Sequence, residues 1–127
     1  MERDTLNMTS QEVFESGSVR DSRAGKGRYD LISTYALRQL ALRCEMGAIL
    51  YGEDNWLKGQ PLMRYVDSLT RHLHQWVEGE DSEDHLGAVL WNAMALCHTD
   101  IAITKGEMNE ELDTRHCAKK VSSDEKA

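Results

Sequence analysis

Between Glu83 and Lys105 apolar residues recur on two sides of one helical wheel, and this constrains the fold more than any other feature of the chain. Leu86, Val89, Leu90, Ala93, Met94, Cys97 and Ile101 share one face at three- and four-residue steps. Ala88, Trp91, Ala95, His98 and Ala102 form a second face of smaller residues. A helix that is apolar on two sides must be covered twice, at the centre of a bundle or between subunits. A charge at Ala93 is therefore expected to unfold the bundle, since an unpaired buried charge is strongly destabilising.

Two more helices are expected before it. Ala36, Leu37, Leu40, Ala41, Cys44, Gly47, Ala48 and Tyr51 mark one face of a helix from about Ser33 to Tyr51, which Gly52 stops. After Pro61, Leu62, Val66, Leu69, Leu73, Trp76 and Val77 mark a second helix, which ends at Gly79. Ser82 with Glu83 and Asp84 then reads as an N-cap followed by acids in the first turn, and Gly106 closes the third helix. Proline occurs once, and leucine and alanine outnumber valine and isoleucine, which favours helix over sheet. The fold class expected is all-α, a single-domain bundle of three principal helices. Such a bundle is thin for 127 residues, so a homodimer or homotetramer is expected.

Residues 1–20 read as a flexible arm with a short helical turn around Gln11–Phe14. Residues 21–106 form the folded domain, and 107–127 a charged tail whose end, "VSSDEKA", is expected to be disordered. The net charge of −7 and pI near 5.2 disfavour nucleic acid and anionic membranes as partners. Cys44, Cys97 and Cys117 have no zinc-ligand spacing. With a polar N-terminus and no run of 18 apolar residues, they suggest a reduced, cytoplasmic protein.

The chemistry concentrates in one stretch. "HLHQWVEGEDSEDHLGAVLWNAMAL" carries Glu78, Glu80, Asp81, Glu83 and Asp84 between His72 and His85. Acids in a first helical turn complement the macrodipole, so capping is the plain account of Glu83 and Asp84. A hard cation such as Mg²⁺ is instead held by a few carboxylates plus substrate phosphates. Asp67 and Asp84 flank the turn, and Glu45 is a third carboxylate that convergence would add. His72 and His85 admit zinc or general-base roles, although no HExxH is present. His74 is expected in solvent and His98 packed. The loop "RAGKGRYD" is not a Walker A motif, yet Lys26 or Arg28 and its backbone N–H groups suit phosphate. Asn55, Trp56 and Lys58 suit a base and phosphate, and Asn92 a nucleobase edge; each also has an ordinary structural role available.

Three blocks in order, "VRDSRAGKGRYDLIS", "YGEDNWLKG" and "RYVDSLTRHLHQWVEGEDSEDHLGAVLWNAMAL", resemble the phage and bacterial family of dATP/dGTP diphosphohydrolase N-terminal domains. That family is similar to the MazG-like, all-α nucleoside triphosphate pyrophosphatases. The likeness covers about residues 17–100. It implies a MazG-like bundle, Mg²⁺ or Mn²⁺, and hydrolysis of (d)GTP, with dATP as the second candidate, to monophosphate and pyrophosphate in phage-type nucleotide-pool remodelling. It also implies metal ligands among Glu45, Asp67 and Asp84, and a catalytic part for Asp84 and His85. Lys26, Arg28, Asn55, Trp56, Lys58, Arg71, His72 and Asn92 are then the substrate-binding candidates. The MazG pattern places acids as EExxE and ExxD. Here Ser68, Arg71 and Ala88 stand where acids are expected, and His85 replaces another. Those departures favour a rival reading, a catalytically idle helical protein that binds a nucleotide or partner. A third reading, a phosphohydrolase releasing tripolyphosphate through His72 and His85, is separable by product.

Overall fold

The computed structural model describes residues 11–116. The expectations for "VSSDEKA" and Cys117 lie outside them. Two compact units divide between Ser33 and Thr34, later than the boundary expected at residue 20.

The N-terminal unit contains a β-hairpin where a helical turn was expected. β1 (Gln11–Val13) pairs antiparallel with β2 (Val19–Asp21), in the register Gln11 to Asp21, Glu12 to Arg20 and Val13 to Val19. Gly17, at φ +88°, reverses the chain, and Phe14 N–H donates to the Ser18 carbonyl at 2.9 Å. The three-residue alternation of Gln11–Val13 carries too little apolar pattern to be separated from a helical turn by sequence. The basic loop follows and ends in a 3₁₀ turn, Tyr29–Leu31.

The second unit holds three helices: α1 (Thr34–Tyr51), α2 (Leu62–Val77) and α3 (His85–Thr104). Their bounds follow the glycine and proline signals closely. α3 is the central helix: it packs on α2 and on α1, which meet mainly through it. By length and composition α3 could also cross a membrane, with a mean hydropathy of 1.3. Its inward positions are nevertheless the polar His85, Asn92 and Thr99, alternating with Ala88, Ala95 and Ala102. These six follow the three-four spacing of a coiled-coil seam. Alanine at every second seam position lets α2 approach closely, and Leu62, Tyr65 and His72 fill the facing side.

The inward faces are rotated from those the apolar pattern suggested. On α3 the small-residue face is the core, while Leu86, Ala93, Cys97 and Ile101 are exposed in the single chain. On α1 the least exposed residues are Ala36, Gln39, Leu40, Arg43, Gly47 and Ala48; Leu37 and Ala41 face out, while Cys44 and Tyr51 are exposed at the cavity described below. Hydrophobicity mispoints here because the inner surfaces border a cavity of mixed lining, to which Arg43, His72 and Asn92 contribute. Residues after α3 return to the bundle. The 3₁₀ turn Glu110–Leu112 follows Asn109, whose side chain accepts from Glu111 N–H, and Met63 N–H donates to Thr114 Oγ1 at 3.1 Å. Through residue 116 the expected charged tail is therefore packed structure.

Candidate functional site

A cavity of about 410 Å³ opens between α1, the Asn55–Lys58 turn, α2 and α3. One part is aromatic: Trp56 meets Trp91 edge-on at 6.2 Å and His98 at 5.0 Å. Asn55, Asn92 and Gln60 supply amides, while Arg43, His72, Ser68 and Glu53 supply the other polar groups. Of the sequence candidates, Asn55, Trp56, His72 and Asn92 meet at this cavity. Asn92 is anchored by its Nδ2, which donates to the Ala88 carbonyl at 2.8 Å. Lys58 closes its 3₁₀ turn but does not line the cavity.

Beside the cavity lies a buried polar chain. His72 on α2 and His85 on α3 meet Nδ1 to Nδ1 at 2.9 Å. His85 Nε2 donates to the Glu80 carboxylate. On the other side, Arg71 approaches His72 Nε2 at 3.5 Å and donates to Gln75 at 3.4 Å. Burial, reinforced by Arg71, pushes the His72 pKa down and keeps the ring neutral. The Ser82 hydroxyl and N–H, together with His85, hold the Glu80 carboxyl down at about 2. His74 faces solvent near Glu78, as expected.

Asp84 is a helix cap. Its Oδ1 accepts the Gly87 N–H at 3.0 Å and its Oδ2 accepts from Gln39 at 2.7 Å. The Gly87 N–H chiefly accounts for a carboxyl held below its ordinary pKa. Arg43 ties α1 to the same point, donating to the Asp84 carbonyl at 2.6 Å and to Glu83 at 3.3 Å. Glu45 and Asp67 are exposed on α1 and α2. Among the described residues, Glu45, Asp67 and Asp84 form no group close enough to share an ion. This set does not fit the hard cation that the resemblance implies.

In the N-terminal unit, Arg28 forks onto Asp30 at 2.9 and 2.8 Å, so its charge is already matched. Lys26 is exposed in the neighbouring turn.

Sequence reasoning missed Arg43, Trp91 and Glu53 as cavity residues, and named Glu80 only as one acid of the turn. A signal existed for Arg43: it continues the Ala36, Leu40, Gly47 spacing, and a charge on such a face marks a lined cavity. Which of the turn's acids meets His85 was not legible, since only the turn geometry selects Glu80.

Residues 16–119 match the model of the family described as dATP/dGTP diphosphohydrolase, N-terminal. The chain belongs to that family. No curated protein and no solved structure matches it. The diphosphohydrolase-domain match begins in the hairpin turn, after β1, and runs through β2, the three helices and the Glu110–Leu112 turn.

Proposed function

We propose that this chain is a purine (deoxy)nucleoside triphosphate diphosphohydrolase, with (d)GTP as its first substrate and dATP as its second. The observation that carries this reading is the cavity of about 410 Å³, walled by Trp56 and Trp91 and edged by Asn55 and Asn92. Its size lies within the range of small-molecule sites, about 300–1,000 Å³. Aromatic faces accept any base, and amides read donor and acceptor edges. Arg43 of α1 and the neutral His72 of α2 also line the cavity and are the groups we assign to the phosphates.

In the reaction, water adds to the α-phosphorus and the bond to the α–β bridging oxygen breaks. The products are the nucleoside monophosphate, pyrophosphate and a proton. The cavity residues bind and orient the substrate. Mg²⁺ or Mn²⁺ enters as the triphosphate's own counter-ion, since the cavity wall offers a single carboxylate, Glu53.

We also infer a homodimer or homotetramer. Ile49 and Val77 are 78% and 68% exposed, and Leu50, Tyr51, Trp76 and Ile101 add to an apolar surface large for a lone chain.

The scarcity of cavity carboxylates favours one alternative, a protein that binds nucleotide without turning it over. Incubation with each dNTP and NTP, with Mg²⁺, Mn²⁺ or EDTA, followed by chromatography, separates the readings. Monophosphate and pyrophosphate support the proposal. Saturable binding without turnover supports the alternative, and tripolyphosphate would replace both with a triphosphohydrolase.

A further inference from the structure

We propose that His72, His85 and Glu83 form a protein-held site for a borderline divalent transition ion, with Zn²⁺ as its natural occupant. The three come from α2, the turn and the start of α3, and their ligand atoms all lie within 4.8 Å of one another. His72 Nδ1 is 2.9 Å from His85 Nδ1 and 4.0 Å from a Glu83 oxygen. Bonds of about 2.0–2.1 Å place tetrahedral ligand atoms about 3.3 Å apart. An ion therefore needs a fraction of an ångström of opening between the rings and a small swing of Glu83. That swing is available, because the Glu83 side chain is 44% exposed.

Three features distinguish this set from an ordinary polar cluster. The two imidazoles are buried and fixed on different helices, so the nitrogens are held in place before any ion arrives. His85 Nε2 meets the Glu80 carboxylate, which can only accept, so its Nδ1 lone pair accepts the His72 Nδ1–H; an ion bound at His72 Nδ1 shifts that proton to Nε2, where Arg71 at 3.5 Å must move aside. This is the outer-carboxylate arrangement that orients metal-bound histidines. Finally, His72 also lines the cavity, which puts the cluster next to the space proposed for substrate. Two imidazoles with one carboxylate suit Zn²⁺ better than Mg²⁺, and three protein ligands with one open position is the pattern of a catalytic rather than a structural zinc.

The site's part in turnover rests on the diphosphohydrolase reading, but its existence does not, because metal binding is read without nucleotide. Metal-free full-length protein is titrated with Zn²⁺ by calorimetry and with Co²⁺ by visible absorption. The expected result is one equivalent per chain, with Co²⁺ giving the intense bands of a tetrahedral nitrogen–oxygen site. Glu83→Gln, an exposed change that spares the fold, should weaken binding at least tenfold. Glu80→Gln should weaken it by about 10–100-fold through the outer hydrogen bond. His72→Ala and His85→Ala should abolish it, with circular dichroism reporting the fold of each. Glu45→Gln and Asp67→Asn should leave it unchanged. Absence of binding to the folded wild type overturns the site. So does binding that Glu83→Gln and Glu80→Gln leave unaltered.

Discussion

The His72 and His85 imidazoles meet at 2.9 Å although they stand 13 residues apart in the chain. The turn between α2 and α3 sets that meeting. Gly79, at φ +80°, ends α2, with Glu78 N–H on the His74 carbonyl and Glu80 N–H reaching back to Gln75 at 3.0 Å. The same turn delivers the Glu80 carboxylate to His85. A Cβ at Gly79 meets nothing within 4 Å, so substitution there is opposed by backbone conformation alone. Gly79→Ala is expected to cost about 1–2 kcal/mol. Gly79→Asn, which tolerates the left-handed region better, should cost less. Thermal melts of the two variants check this; equal losses would show that the turn, and not its φ, is what matters.

Asp84 offers a test between structural and chemical roles. Both of its oxygens are engaged, one on the Gly87 N–H and one on Gln39. As a cap, Asp84→Ala should cost about 1 kcal/mol, and Asp84→Ser should restore most of it. A lowered melting temperature rescued by serine fits the cap. A metal ligand would behave in the opposite way, with an unchanged melting temperature and no activity in either variant.

The two faces of α3 predict opposite outcomes for the same substitution. Ala95 is fully buried against α2, so Ala95→Glu leaves an unpaired charge in the core and should abolish folding, visible as lost helical circular dichroism. Ala93 is exposed in the single chain, which corrects the expectation that a charge there unfolds the bundle. Ala93→Glu should keep its helical signal. If the outer face of α3 is shared between copies, light scattering should show a smaller assembly for this variant; an unchanged mass would locate the interface elsewhere.

How much of this was legible in the sequence depends on the scale at issue. Helix number and ends followed from Gly52, Pro61, Gly79 and Gly106, because each imposes a backbone conformation that neighbours cannot override. Helix orientation did not follow. Leu37, Leu73 and Leu86 are apolar yet outward, while Gln39, Arg43, His72 and Asn92 are polar yet inward. A bundle that turns polar side chains toward an open cavity and leaves large apolar residues on the surface weakens the usual amphipathic signal. The cavity's Asn55, Trp56, His72 and Asn92 were named from residue chemistry at suggestive spacings. Glu45, Asp67 and Asp84 are not brought together among the described residues, because convergence is a tertiary property and Asp84 had a local donor, Gly87 N–H, closer to hand.

The last prediction concerns Tyr65, which packs edge-on against Trp91 at 6.2 Å in the wall behind the cavity. Its hydroxyl and that of Thr99 are buried without a hydrogen-bond partner of normal geometry among the described residues. Burial pushes the Tyr65 phenol up, with Thr99 opposing weakly. The folded state therefore holds this proton more tightly than the unfolded chain does. That stabilisation is complete below the unfolded value near pH 10 and is lost as pH rises through the folded one. Ultraviolet titration should show Tyr65 ionising only as the helical signal falls. Tyr65→Phe removes an orphaned polar atom at constant shape, and should be neutral or stabilising by up to about 1 kcal/mol at pH 7. A clear loss of stability in that variant would mean that the hydroxyl is satisfied in solution, by a water held between Tyr65 and Thr99.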